Sequence, residues 1–174
     1  WGKDLRFWMR FPTRQGEVVT VKTAVSAVSS DGAKLNMQEL EGKTFASLKA
    51  EGEKLWEGQL SKFKIEATPE QRETFYTSVY HAFLHPFIFQ DADGKFRELD
   101  KNIGQAEGFT NYTVFSLWDT YRALHPLFNL VQRDINADIV NSMLAHYDKS
   151  VEHMLPVWSF YGNETWCMIG YHAV

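Results

Sequence analysis

A single cysteine, Cys167, is all that the 174-residue sequence offers for thiol chemistry, so an internal disulfide is excluded. Its place in the apolar run Trp166-Cys-Met-Ile-Gly170 makes a buried, inert thiol the expectation. No apolar stretch approaches the ~20 residues that a membrane-spanning helix needs, and no leader-like segment begins the chain. Basic charge is not in surplus: 18 Lys and Arg stand against 22 Asp and Glu, a net charge of -4, which leaves no electrostatic footprint for nucleic acid. There is no Gly-x-Ser-x-Gly elbow and no Gly-rich phosphate loop. His81 and His85 have the i, i+4 spacing of a metal pair, but no Glu follows His81 and His85 directly precedes Pro86, against a zinc-protease motif. In Asp91-Ala-Asp-Gly94, placing Gly94 at the sixth position of a calcium loop would put Phe89 first and Asp100 twelfth. Both choices violate the EF-hand pattern, and a hairpin turn is the better reading.

What the chain does have is aromatic rings, 15% of all residues with six Trp, against 44% hydrophobic and 23% charged residues, which are ordinary for a globular protein. One carboxylate, Glu164, lies among Trp158, Phe160, Tyr161 and Trp166. Rings that strip water from a carboxylate disfavour its charged form and raise its pKa, as a general acid requires. Gly162-Asn-Glu-Thr165 is equally a loop or helix-start signature, so local sequence leaves both readings open.

The pattern changes along the chain. Residues 3–28 favour strands, with Leu5-Arg-Phe-Trp-Met-Arg-Phe11 and the β-branched run from Glu17 to Val28 separated by Pro12 and Gln15-Gly16. Ser29-Ser-Asp-Gly32 reads as a turn or loop. A helix is predicted from about Thr44 to Leu60, with Phe45, Leu48, Leu55, Trp56 and Leu60 on one stripe. Thr68-Pro69-Glu70-Gln71 is a capping box with Pro at the first helical position. It opens a second helix, which Pro86 ends. A hairpin is predicted over 87–100, then a helix from Thr113 to about Val131 interrupted or bent at His125-Pro126, then one from about Asn136 to Lys149 capped by Asp134, and a last one from near Thr165. In the second-to-last, Ile139, Val140, Met143, Leu144 and Tyr147 are the expected buried face. These runs divide the chain into 1–41, the last strands of a β domain; 42–67, a linker helix and connection; and 68–174, the N-terminal part of a helical domain. The opening Trp-Gly-Lys-Asp without an initiator Met, and the ending Tyr-His-Ala-Val without a polar tail, predict a segment of a larger protein.

In Thr113-Val-Phe-Ser-Leu-Trp-Asp-Thr-Tyr-Arg122, Asp119 and Arg122 stand one helical turn apart beside Trp118 and Tyr121. A structural ion pair and a sugar-holding carboxylate beside an indole are both consistent with that spacing.

Three ordered motifs, Asn111 to Leu127, Asn141 to Asp148, and Leu155 to His172 with its Gly162-Asn-Glu-Thr-Trp-Cys-Met-Ile-Gly-Tyr171 core, together resemble glycoside hydrolase family 92, the calcium-dependent exo-α-mannosidases. Phe75-Tyr-Thr-Ser-Val-Tyr-His81 and the Asp-Ala-Asp-Gly turn extend the resemblance over residues 69–174; the first 66 residues resemble the family less specifically. It implies a mixed, mainly α fold: the end of an N-terminal β-sandwich, a linker helix, then the first helices of an (α/α)6 toroid.

The resemblance further implies hydrolysis of terminal α-mannosides, of α-1,2 type, with inversion. Two carboxyl groups then stand ~6.5–9.5 Å apart to admit a water. By motif Glu164 matches the general acid, Trp118 and Asp119 match residues that hold the terminal mannose, and Arg122 orients Asp119 from behind. The catalytic base and the principal calcium ligands are implied to lie beyond Val174, which predicts that this segment alone is inactive and contains no metal site of its own. Implied partners are mannose-containing glycans, in an extracytoplasmic location. A non-catalytic carbohydrate-binding or structural helical module, and another (α/α)6 glycosidase or lyase, are the competing classes.

Overall fold

Two threonines set the helical half of the chain. Thr44 accepts from the backbone of Ser47, whose side chain returns the bond, and helix α2 follows at Phe45–Leu60. Thr68 and Gln71 make the same reciprocal box at the head of α3, Pro69–Ala82, with Pro69 in the first turn, where its missing N–H removes no helical bond. The computed structural model describes residue 4 and residues 6–174.

Before α2 the structure departs from the sequence pattern. Lys3 and Leu5, where the first strand-like run begins, lie outside the described residues. Residues 6–28 join no ladder, and Phe7, Trp8, Val18 and Val25 are exposed. A β-branched run becomes a strand only when another strand takes up its N–H and C=O groups, and none does so among the described residues. Ser29 is not part of a turn either. Its side chain accepts from the Gly32 N–H and caps helix α1, Ser30–Met37.

After α3 come short strands: β1 (Phe87–Ile88), β2 (Lys95–Arg97), β3 (Ile103–Gln105), β4 (Tyr112–Thr113) and β5 (Phe115–Ser116). The turn at Asp91–Gly94 exists, with Gly94 N–H on the Asp91 carbonyl at 2.8 Å and Gly94 at φ +80°. The hairpin predicted over 87–100 does not, because β1 pairs with β4 and β2 with β3. The helix predicted from Thr113 starts late and breaks early. Its first residues are β4 and β5, joined at Val114 with φ +67°, an outlier for a β-branched residue. Helix α4 then covers only Leu117–Thr120 and α5 only Leu124–Val131. Pro126 bends nothing, since it lies in the first turn of α5, where its absent N–H has no helical partner to lose.

Helix α6, Arg133–Lys149, starts after Gln132, whose side chain makes no capping bond, and Asp134 falls inside its first turn. Ile139 is fully buried while Val140, Leu144 and Tyr147 are exposed. The buried face runs instead through Asn136, Ile139, Ser142 and His146. Polar residues belong there because α6 docks on strand backbone: the Tyr112 N–H donates to Ser142 Oγ at 2.9 Å, and that hydroxyl donates to the Asp138 carbonyl. Tyr112, Phe115, Leu117, Phe128 and Ile139 form the core, with Phe83, Leu124, Ile135 and Met143 against it. Past α6 there is no helix near Thr165; strand β6, Trp158–Ser159, pairs with β5.

Candidate active site

The β5–β6 ladder gathers the residues singled out in the sequence. Phe115 lies across from Ser159 and Ser116 from Trp158. On one side β5 runs directly into α4, which carries Trp118 and Asp119. On the other, β6 enters a tight turn whose central residues, Tyr161 and Gly162, have φ +49° and +65°, as a two-residue type I′ hairpin loop requires. Phe160 and Asn163 exchange backbone bonds of 2.7 and 3.1 Å across it. The return strand then places Glu164 opposite Ser159. Gly162 admits no other residue easily: a Cβ there would stand 2.6 Å from the Arg97 carbonyl oxygen.

Glu164 is half-buried, and what meets its oxygens is backbone. The Trp158 and Trp166 N–H groups donate to Oε1 at 2.9 and 3.0 Å, and the Val157 N–H to Oε2 at 3.0 Å. The rings expected to box it in stand around this amide cradle instead. Trp158 and Phe160 are 6.0 Å apart, Phe160 packs on Tyr161 at 4.1 Å, and Trp166 is 46% exposed. Backbone donors are invisible in a composition window, which is why the sequence suggested an apolar box.

Asp119 accepts the hydroxyl of Ser116. The two carboxylates therefore hang from one pair of facing residues, Asp119 from the Ser116 side chain and Glu164 from the Trp158 backbone. Ser116 is a partner of Asp119 that the sequence reading missed, although its position three residues before Asp119 was a usable signal. Trp118, the residue before Asp119, is 45% exposed. Arg122 makes no ion pair with Asp119 among the described residues; its guanidinium lies 5.2 Å from the Tyr121 ring centre. Helix α4 closes at Thr120, so the turn that would bring side chains three apart together ends before Arg122. His172 stacks on the Tyr121 ring at 4.2 Å.

Cys167 is exposed, not buried, because the C-terminal run that was expected to enter a helix does not. His85 precedes a cis peptide bond to Pro86. Among the described residues no three His, Cys, Asp or Glu side chains converge as a metal site. A cavity of about 400 Å³, lined by residues including Asn36, Phe89, Asp91 and Phe96, meets the site through Tyr161.

Residues 32–174 match the glycosyl hydrolase family 92 catalytic domain. A family 92 α-mannosidase from Bacteroides thetaiotaomicron is 75% identical in sequence; the match covers 85% of this chain and 20% of that one, with a TM-score of 0.84. The same figures hold for that enzyme in complex with mannoimidazole. A family 92 inverting mannosidase from Bacteroides thetaiotaomicron VPI-5482 is 26% identical over 85% of this chain and 20% of its own, with a TM-score of 0.76. No curated protein matches. The chain spans about a fifth of the length of these solved relatives, and it belongs to glycosyl hydrolase family 92.

Proposed function

We propose that the whole enzyme is an exo-acting α-mannosidase that removes terminal α-mannosyl residues, of α-1,2 type, from glycans with inversion, and that this segment supplies its proton donor and part of its sugar-binding wall. One observation carries the reading: a single β-ladder suspends Glu164 and Asp119 from facing residues, Trp158 and Ser116. A glycosidase needs one carboxyl group at the leaving oxygen and fixed acceptors for the sugar hydroxyls. Glu164 takes the first role and Asp119 the second, with Trp118 stacking on the sugar's C–H face. The relative bound to mannoimidazole and the relative called an inverting mannosidase support the substrate class and the stereochemistry.

The base that activates water, and the ligands of the calcium ion on which the family depends, are assigned to the remainder of the enzyme. Calcium supplies Lewis-acid polarisation when bound. The segment accordingly has half of an acid/base pair and is inactive alone. The sandwich end in residues 1–41, the linker in 42–67 and the opening of an (α/α)6 toroid in 68–174 belong to the same proposal, as does an extracytoplasmic location.

The test is Glu164→Gln in the whole enzyme, assayed on a natural mannoside and on an aryl mannoside with a good leaving group. Turnover of the first is expected to fall by about a hundredfold or more, and of the second far less, since a good leaving group needs little protonation. Equal loss on both removes Glu164 from the donor role.

A further inference from the structure

We propose that Lys101 is a positioning residue for Glu164, holding the Tyr161–Gly162 turn from the tip of the β2–β3 hairpin; this rests on Glu164 as the proton donor. The Lys101 ammonium donates to the Gly162 carbonyl at 2.8 Å and to Asn163 Oδ1 at 3.2 Å. Those are the two residues immediately before Glu164. The hairpin also presses on the turn with its backbone, through the Arg97 and Glu98 carbonyl oxygens that face Gly162.

The backbone at Lys101 is what makes the contact more than incidental. Lys101 N–H donates to the Glu98 carbonyl at 3.1 Å, Glu98 N–H to the Asn102 carbonyl at 3.0 Å, and Lys101 itself has φ +70°. This is a tight turn closed by a left-handed residue, a position that Gly fills by default. Lysine occupies it against its conformational preference, and strain of that kind points to a use for the side chain. Arg97 holds the tip in place. Its guanidinium donates to the carbonyls of Lys101, Val28 and Ala27 at 2.7, 3.0 and 3.1 Å. The result is a continuous polar connection from the segment before α1, through Arg97 and Lys101, to the turn that presents Glu164. A general acid displaced by an ångström loses much of its rate while the substrate still binds.

The test uses the whole enzyme and the two mannosides described above, with Glu164→Gln run alongside. Lys101→Gly is expected to leave the thermal midpoint unchanged or raised, because the left-handed position loses its Cβ. It should nevertheless lower kcat on the natural mannoside by about tenfold or more, with KM within about twofold and a much smaller loss on the activated substrate. Lys101→Arg, which keeps the charge, should recover most of the rate. If Glu164→Gln discriminates between the substrates and Lys101→Gly does not, the positioning role falls and the proton donor stands. If Glu164→Gln itself fails to discriminate, the donor assignment falls and the role of Lys101 with it. A Lys101→Gly enzyme that loses stability and both activities equally also overturns the proposal, since that is the behaviour of a merely structural contact.

Discussion

The Trp158 backbone N–H donates to Oε1 of Glu164 at 2.9 Å, and Trp158 is the residue whose ladder partner, Ser116, holds Asp119. The ladder does the positioning. Trp158 fixes Glu164 with its main chain, so its indole stays free to pack on Phe160, and a substitution of the ring leaves the contact to Glu164 in place.

A cradle of N–H donors predicts a stability cost that is separable from chemistry. Three N–H groups share the two Glu164 oxygens, whereas Gln offers one acceptor oxygen and turns an NH2 group toward the remaining donors. Glu164→Gln is therefore expected to destabilise the fold by about 1–3 kcal/mol, read as a lower urea midpoint at unchanged slope. An unchanged midpoint would mean that the cradle contributes nothing to folding, and kinetic comparisons belong well below the unfolding transition.

Gly32 and Asp91 give a second prediction. Asp91 is 4% exposed and accepts from Ser26 Oγ at 2.6 Å and Asn36 Nδ2 at 2.8 Å, which latches α1 and the segment before it to the turn after β1. A Cβ on Gly32 would lie 2.1 Å from Asp91 Oδ2. Gly32→Ala should cost roughly 1–3 kcal/mol. Asp91→Ala should cost about as much by orphaning its two donors. Both act on one latch, so the double variant should lose clearly less than the sum. Additive losses in a double-mutant cycle would place the two effects apart.

His146 predicts how stability follows pH. It is 3% exposed, its Nδ1 has no hydrogen-bond partner, and it packs against Phe115 at 5.4 Å. Burial pushes its imidazole down from 6.5 to about 4. The unfolded chain therefore takes up a proton below pH 6.5 that the folded chain refuses. The contribution is fully present above pH 6.5 and is lost as pH falls toward about 4, approaching about 3 kcal/mol at that end. Thermal midpoints at pH 7 and pH 5 should diverge for the wild type and converge for His146→Leu. A variant with the same pH dependence as the wild type would assign the acid sensitivity to other groups.

The sequence revealed what depends on local chemistry. The box at Thr68 satisfies helix-start donors within three residues, and α3 lies where that cap predicts; α2 lies where its apolar stripe predicts, with a box at Thr44 that the stripe does not register. Strand pairing depends on distant partners, so the 87–100 hairpin was misread: the turn at Gly94 is local, but β1 waits for Tyr112 and Thr113. The buried face of α6 misled for a similar reason, since Ser142 is buried by its bond to the Tyr112 backbone, which a hydrophobic stripe does not register. At the site, motif order singled out Glu164, Trp118 and Asp119, and the β5–β6 ladder lies between the two stretches that carry them. Ser116 and Lys101 were passed over because the ladder and the hairpin, not a local motif, bring them to Asp119 and to the Tyr161–Gly162 turn.

Ser116 and Arg122 compete for the task of orienting Asp119, and kinetics can separate them. The Ser116 hydroxyl donates to Asp119, whereas Arg122 lies against Tyr121. On the proposed role of Asp119 in holding the sugar, removing the hydroxyl frees the carboxylate to rotate, so Ser116→Ala should raise KM for a mannoside by about three- to tenfold, the loss of one charge-assisted bond. Its kcat should change little, because an interaction made equally in ground and transition states appears in KM. Asp119→Ala, which deletes the acceptor itself, should weaken binding further. Arg122→Ala should leave both constants within about twofold, the range of a surface charge that pairs with nothing at the site. A rise in KM for Arg122→Ala equal to that for Ser116→Ala would transfer the orienting role to the guanidinium and require Arg122 to swing from Tyr121 toward Asp119 when sugar binds.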